Sequence, residues 1–283
     1  FNIFTSLDLG SHIKANQALK GRMGAVVAVE IDSGAIVTLF SSPSYSINDL
    51  SNGISNNQFN ALIQDPKKPF FNRALKGRYP PASTIKPALG IFGVQNQLID
   101  WNFSIDDPGF FTLPEDGRIY RGWKKGGHGK VDLDKAIVVS SNTYFFSLAY
   151  RSDIDDLAEH LSKFGFGKKV CLDCFDEDEG LIPSPQWKRN KLNSGWSRGD
   201  TVNLGVGQGY MVATPIQLAY YSSILAKKGS MNALSLVQDT TDTLNSTIGF
   251  NNFKNRDWAQ LHKAMTDVID STEGTSRRLK NLK

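Results

Sequence analysis

The segment Tyr79-Pro80-Pro81-Ala82-Ser83-Thr84-Ile85-Lys86-Pro87 constrains the fold more sharply than any other stretch, because its prolines dictate where a helix can begin. Proline is tolerated in a helix only in the first turn, where its missing N–H would have had no partner anyway. Pro87 therefore confines the helix start to roughly the four residues before it, while Pro80 and Pro81 are expected to keep the preceding chain extended. This places Ser83 at the N-terminus of a helix that runs through Ala88, Leu89, Ile91 and Phe92 towards Gln97. At such an end the free N–H groups and the positive dipole favour an anion and disfavour a protonated Lys86, which shares a helix face with Ser83. A serine nucleophile needs a proton acceptor within reach and fixed donors for the developing oxyanion, and this segment supplies candidates for both. On these residues alone, Ser83 reads equally well as a simple helix cap. A second Ser-x-x-Lys pair, Ser11 with Lys14, lacks the flanking prolines and reads as a polar helix face.

A second cluster, Val138-Val139-Ser140-Ser141-Asn142-Thr143, stands near the start of an apolar helix containing Tyr144, Phe145, Phe146, Leu148 and Ala149. A hydroxyl and an amide two residues apart can converge on one ligand from a turn. Ser140 could pass a proton between Lys86 and a leaving amine, and Asn142 could donate its amide hydrogens to a carbonyl. Alone, these residues are ordinary caps; their value lies in the pairing with Ser83 and Lys86.

The remaining chain reads as strands first and helices in the middle. A short N-terminal helix precedes two strands, Gly24 to Ile31 and Ala35 to Phe40, joined by the turn residues Asp32-Ser33-Gly34. Ser41 to Pro69 is rich in Ser, Asn, Pro and Gln and is expected to be an irregular surface excursion. Apolar stripes predict helices over Ile137–Tyr150, Ile154–Phe164, Pro215–Lys227 and Trp258–Ile269. The pattern predicts an α+β enzyme, one unit over residues 1–283 with a helical subdomain over roughly 95–200.

Several function classes are disfavoured. The chain has 32 Lys and Arg against 28 Asp and Glu, and the resulting +4 is spread out rather than gathered into a nucleic-acid-binding stripe. Gly205-Val206-Gly207-Gln208-Gly209-Tyr210 has Tyr210 where a dinucleotide fingerprint needs its third glycine, and no Walker lysine follows. No apolar run is long enough to span a bilayer, so any signal or anchor is expected outside this stretch. The two cysteines, Cys171 and Cys174, are expected to be free thiols on opposite faces of a strand. His12, His160 and His262 are expected on polar helix faces, and His128 in a loop.

The order Ser-x-x-Lys, then Ser-x-Asn, matches two of the three motifs of penicillin-binding proteins and class A β-lactamases; the third, Lys-Thr-Gly, does not occur in this chain. The surroundings of the motifs resemble class B penicillin-binding proteins of the elongation type, the penicillin-binding protein 2 group. The similar stretches include Gly24–Val29, Ser42–Tyr45, Asn52–Ser55, Asn72–Leu75, Asp107–Gly109, Trp123–Gly129, Gly199–Thr201, Gly205–Tyr210 and Ala213–Gln217, nearly the whole chain. This resemblance implies a β-lactamase/transpeptidase-like fold, an antiparallel sheet flanked by helices with a helical subdomain. It further implies a D,D-transpeptidase that forms an acyl-enzyme on Ser83, with Lys86 and Ser140 catalytic and Asn142 binding substrate. Implied partners are peptidoglycan stem peptides, β-lactams and a cell-wall elongation glycosyltransferase complex, with no nucleic acid. The implied location is the periplasmic face of the inner membrane, with an anchor N-terminal to this chain. The Lys-Thr-Gly strand is expected downstream of the region matching Trp258 to Lys283, so this stretch is expected to be incomplete at its C-terminal end and inactive by itself.

In some members of that family, zinc is held by two aspartates, a histidine and a cysteine. Asp107 and His128 match two of these positions, but Gly122 and Ser141 occupy the others, and no metal or cofactor is expected. The competing readings are a serine β-lactamase, which would also have to activate water, and a non-catalytic β-lactam sensor or scaffold.

Overall fold

The structure is a computed structural model that describes residues 2–237, 246–247, 249–250 and 252–282. The chain divides into two compact units, each built from three separated segments.

The first unit contains Phe1–Tyr79, Phe164–Gly180 and Ala213–Ile248. Its centre is an antiparallel hairpin of strands Gly24–Val29 and Ile36–Ser42, whose four valines with Ile36, Thr38 and Phe40 suit a pleated surface. The helices Leu9–Leu19, Arg73–Lys76 and Pro215–Ala226 pack against it. Asn232 to Val237 runs alongside, with Ala35 bridging Ser235 and the Ile36 N–H donating to the Ser235 carbonyl at 2.9 Å. Gly34, at φ +81°, admits this approach, since a Cβ there would lie 2.5 Å from the Ala233 carbonyl oxygen. The Pro215–Ala226 helix starts with a capping box of Thr214 and Gln217 and has proline in its first turn.

The second unit contains Pro80–Lys163, Leu181–Val212 and Gly249–Lys283. Its core is the helix Lys86–Gln95, buried from Lys86 to Gly93 and packed against helices Leu133–Val138, Asn142–Tyr150 and Ile154–Lys163. Arg198–Leu204 packs on Asn142–Tyr150, and Asn255–Asp270 on Leu133–Val138. Small antiparallel ribbons, Ile105–Asp107 with Gly129–Val131 and Phe110–Thr112 with Ile119–Arg121, frame the loop carrying Trp123 and His128. All sheets among the described residues are antiparallel, in keeping with the α+β expectation. No helix among them is long and apolar enough to cross a membrane.

Four local expectations are corrected. Ser41 to Pro69 contains two short helices, Ile47–Asn52 and Asn56–Gln64, because Ser46 and Ser55 act as N-caps and Ser55 pairs with Gln58 in a capping box. The helix expected over Ile137–Tyr150 is two helices, Leu133–Val138 and Asn142–Tyr150, divided at Val139–Ser141. His160 is not on a polar face: it is 3% exposed, its ring nitrogen bonds the Ala88 carbonyl at 2.9 Å, and the Phe92 and Phe250 rings flank it. Burial lowers its pKa to about 4, so it is neutral.

Cys171 and Cys174 are joined in a disulfide, not free. The chain bends at Leu172–Asp173 instead of continuing as a strand, bringing the two Cα atoms within 5.4 Å. Carboxylates hold the bend: Glu177 accepts from the Val170 and Cys171 N–H groups, and Asp173 accepts from those of Leu236 and Val237.

Candidate active site

Lys86 is the first residue of the long buried helix and is only 2% exposed. Its ammonium nitrogen donates to three acceptors on one turn: the Ser140 carbonyl at 2.8 Å, Ser140 Oγ at 3.0 Å and Asn142 Oδ1 at 2.7 Å. Burial lowers its pKa from 10.5 to about 7, against an upward pull from the Asp107 carboxylate. Near neutral pH about half of Lys86 is therefore an uncharged amine with a lone pair, the form a general base requires.

Ser83 is exposed and lies in a single 3₁₀ turn, Ala82–Ile85, immediately before that helix. The α-helix thus begins at Lys86 and not at Ser83, and Pro81, at φ −67° and ψ −19°, is not extended. The physical reason is Ala82, whose φ of +50° interrupts right-handed helical geometry one residue before the serine. The Ala82 N–H donates to the Gly207 carbonyl at 2.8 Å, and Thr84 Oγ1 donates to the Pro81 carbonyl at 2.6 Å. Gly207 is required there: a Cβ on it would lie 2.2 Å from the Ala82 carbonyl oxygen. The bonds of Lys86 run to Ser140 and Asn142 rather than to Ser83.

The turn that receives Lys86 is a helix end of unusual composition. Ser140 N–H donates to the Ile137 carbonyl and Ser141 N–H to the Ala136 carbonyl, the pair of bonds that defines a Schellman motif. The left-handed position of that motif is ordinarily glycine; here it is Ser140, at φ +53°. Ser141 then caps the next helix by accepting from the Tyr144 N–H at 3.2 Å. With its amide oxygen bound to Lys86, Asn142 keeps its amide N–H₂ for another acceptor.

Behind this turn is a buried carboxylate that the motif spacing does not reveal. Asp107 Oδ2 accepts from Ser141 Oγ at 2.7 Å and from His128 Nδ1 at 2.8 Å, while its other oxygen accepts from the Gly109 N–H at 2.8 Å. Burial pushes the Asp107 carboxyl up, but its hydrogen bonds, including those from His128 and Ser141, outweigh this and hold it below the usual range. Trp123, 59% exposed, meets the His128 ring at a 54° tilt and donates its indole N–H to the Val139 and Ser140 carbonyls, both at 3.1 Å.

Of the four positions, Asp107 and His128 carry ligand-type side chains, bonded to each other at 2.8 Å with His128 Nε2 buried and without a hydrogen-bond partner among the described residues; the other two are Ser141, whose hydroxyl donates to the same carboxylate, and Gly122, which has no side chain to offer. The one cluster of metal-ligand types among the described residues, Cys171, Asp173 and Cys174, has both sulfurs bound in the disulfide.

Residues 24–282 match the family model described as the penicillin binding protein transpeptidase domain. The chain is 40% identical over 286 residues to the peptidoglycan D,D-transpeptidase MrdA of Acinetobacter baumannii, covering 99% of this chain and 42% of that protein. Among solved structures, it is similar to Pseudomonas aeruginosa PBP2 in complex with WCK 5153, with a TM-score of 0.92 and 37% identity over 99% of this chain and 65% of that one. It is also similar to Helicobacter pylori PBP2 in complex with MreC, with a TM-score of 0.87 and 28% identity over 96% of this chain and 50% of that one. The chain spans about two fifths of the length of the curated relatives it matches.

Proposed function

The chain belongs to the penicillin-binding protein transpeptidase family, and on that premise we propose that the protein containing it cross-links peptidoglycan as a D,D-transpeptidase. The observation that carries the reading is the buried Lys86 amine, with its pKa near 7 and its bonds to Ser140 and Asn142. Ser83 is the nucleophile. Its hydroxyl loses a proton to neutral Lys86 as Oγ attacks the carbonyl of the penultimate D-alanine, and a C–O bond forms. When the C–N bond to the terminal D-alanine breaks, Ser140 relays the proton from Lys86 to the leaving amine. The Asn142 amide N–H₂ donates to a backbone carbonyl of the stem peptide and holds it in line. An amine from a neighbouring strand then attacks the acyl-enzyme, gives a proton to the same relay and restores Ser83. A β-lactam would enter by the same first step and remain bound.

The reading extends to the setting of the whole protein: the periplasmic face of the inner membrane, beside a cell-wall elongation glycosyltransferase. The MreC complex of the Helicobacter pylori relative supports association with an elongation assembly. The test is intact-mass spectrometry of the full-length protein after incubation with a penicillin. A single long-lived adduct that maps to Ser83 and is lost in Ser83→Ala is the expected result. Rapid loss of the adduct with release of hydrolysed drug would indicate a β-lactamase instead. Labelling that survives Ser83→Ala, or no labelling at all, would reject the assignment.

A further inference from the structure

Three side chains outside the Ser140–Asn142 turn, those of Asp107, His128 and Trp123, close a circuit around it. Asp107 holds Ser141 from below at 2.7 Å and His128 at 2.8 Å. The His128 ring contacts the Trp123 indole at a 54° tilt, with centroids 5.3 Å apart. Trp123 returns to the turn through its N–H, which donates to the carbonyls of Val139 and Ser140. The side chains of Asp107 and His128 are 2% and 5% exposed, so the bonds of the Asp107 carboxylate are shielded from competing water.

The circuit matters because of what the Ser140 carbonyl does. It accepts from Lys86 on one side and from Trp123 on the other, and it belongs to a residue held at positive φ. Without glycine's freedom, a left-handed serine persists only where its surroundings over-determine it. Relaxing the turn would rotate that peptide, moving both the carbonyl and Oγ away from the lysine.

We infer that Asp107, His128 and Trp123 are positioning residues for the acyl-transfer step, which lock the Ser140–Asn142 turn onto Lys86 without touching substrate. The inference rests on the proposed roles of Ser83, Lys86, Ser140 and Asn142. It assigns work to an exposed tryptophan whose N–H, rather than its face, is the functional part. It also makes Ser141, the middle residue of Ser-x-Asn, the point at which the buried carboxylate grips the motif.

The test is stopped-flow acylation of the full-length protein by a fluorescent penicillin, resolving the binding constant Ks from the acylation constant k2, with active-site titration of every sample. Trp123→Phe keeps a ring over His128 and removes the N–H; Asp107→Asn keeps the size of the side chain and removes its second acceptor oxygen. The expected result is a fall in k2 of about tenfold for Trp123→Phe and about a hundredfold for Asp107→Asn, with Ks nearly unchanged, as small misplacements of reacting groups produce. Ser141→Thr, which retains the hydroxyl, should preserve k2, whereas Ser141→Ala should not. If the titrated fraction of each variant acylates with the parent's k2 and only the active fraction falls, the residues merely support the fold and the inference is overturned. Should Asp107→Asn fail to fold, Trp123→Phe decides alone, since it deletes one N–H at an exposed side chain. Failure of the function proposal reads differently: the parent itself would not label at Ser83.

Discussion

The two turns that carry the candidate catalytic groups are held by different means. The Ser83 turn is held mainly by backbone: two flanking prolines, a carbonyl from Gly207, and a threonine hydroxyl folded back on its own chain. The Ser140 turn adds side chains to its two backbone bonds: a buried lysine, a buried aspartate and a tryptophan indole. Each contains one non-glycine residue at positive φ, Ala82 at +50° and Ser140 at +53°. At Ala82 that residue only aims its neighbour, whereas at Ser140 it is itself a candidate catalytic group. Backbone fixation suits a nucleophile that must stay exposed and ready, because backbone bonds leave its hydroxyl unencumbered. Side-chain fixation suits a relay, whose partners must approach from several directions.

The sharpest way to break the backbone-held turn is Gly207→Val. Its Cβ meets the Ala82 carbonyl oxygen at 2.2 Å, and stability should fall by about 3 kcal/mol in urea denaturation, with acylation reduced at least a hundredfold or so. The corresponding change in the other turn is Ser140→Gly. Glycine relieves the left-handed strain, so stability should hold or rise by up to about 1 kcal/mol, while acylation falls about a hundredfold for want of the relay. A joint loss of stability and rate there would mean that the turn needs its serine for packing.

The pH dependence measures what both turns share. Because burial lowers Lys86 to about 7, its neutral fraction drops about tenfold per unit below that pH, and acylation should climb through pH 7 and then level. The stability sign is the reverse of a salt-bridged lysine. The unfolded chain retains its proton up to the ordinary value of 10.5, so the cost of burying the ammonium is fully present below about pH 7 and fades as pH rises through that window. Parent stability relative to Lys86→Met should therefore increase from pH 7 to 10. The smallest effect on the rate belongs to Cys174→Ser, which should cost about 2 kcal/mol through loss of a short covalent loop and leave acylation per active molecule unchanged.

The same division explains what could be read in the sequence. Pro87 and the spacing of Ser83 and Lys86 are local, and they located the start of the buried helix to within a turn. They could not show that Ala82 adopts positive φ, because alanine carries no mark of it and the glycine that permits the approach is Gly207. The apolar stripe across Ile137–Tyr150 concealed a break for the same reason: serine occupies the position where glycine would have announced a helix end. Asp107, His128 and Trp123 meet Ser140 and Ser141 only through tertiary folding, and no periodicity records it. His160 shares the buried stripe of Ile154, Leu157 and Leu161, where a polar residue type hides its place in the pattern. Around Cys171 the local residue pattern suits a strand, whereas the Glu177 and Asp173 carboxylates, through partners farther along the chain, hold a bend there.

The hairpin of the first unit has a consequence in time. Asp32 accepts from the side chain of Asn232, a separation of 200 residues, and Ser6 reaches across 230 residues to the Leu236 carbonyl. At a synthesis rate of about 5–20 residues per second, the early strands wait roughly ten to forty seconds for the segment that covers their edge. An isolated two-stranded ribbon is marginal in water, so over that interval the hairpin remains provisional and its open edge exposed to mispairing. The last-made part of this unit thus decides when its first-made part becomes permanent.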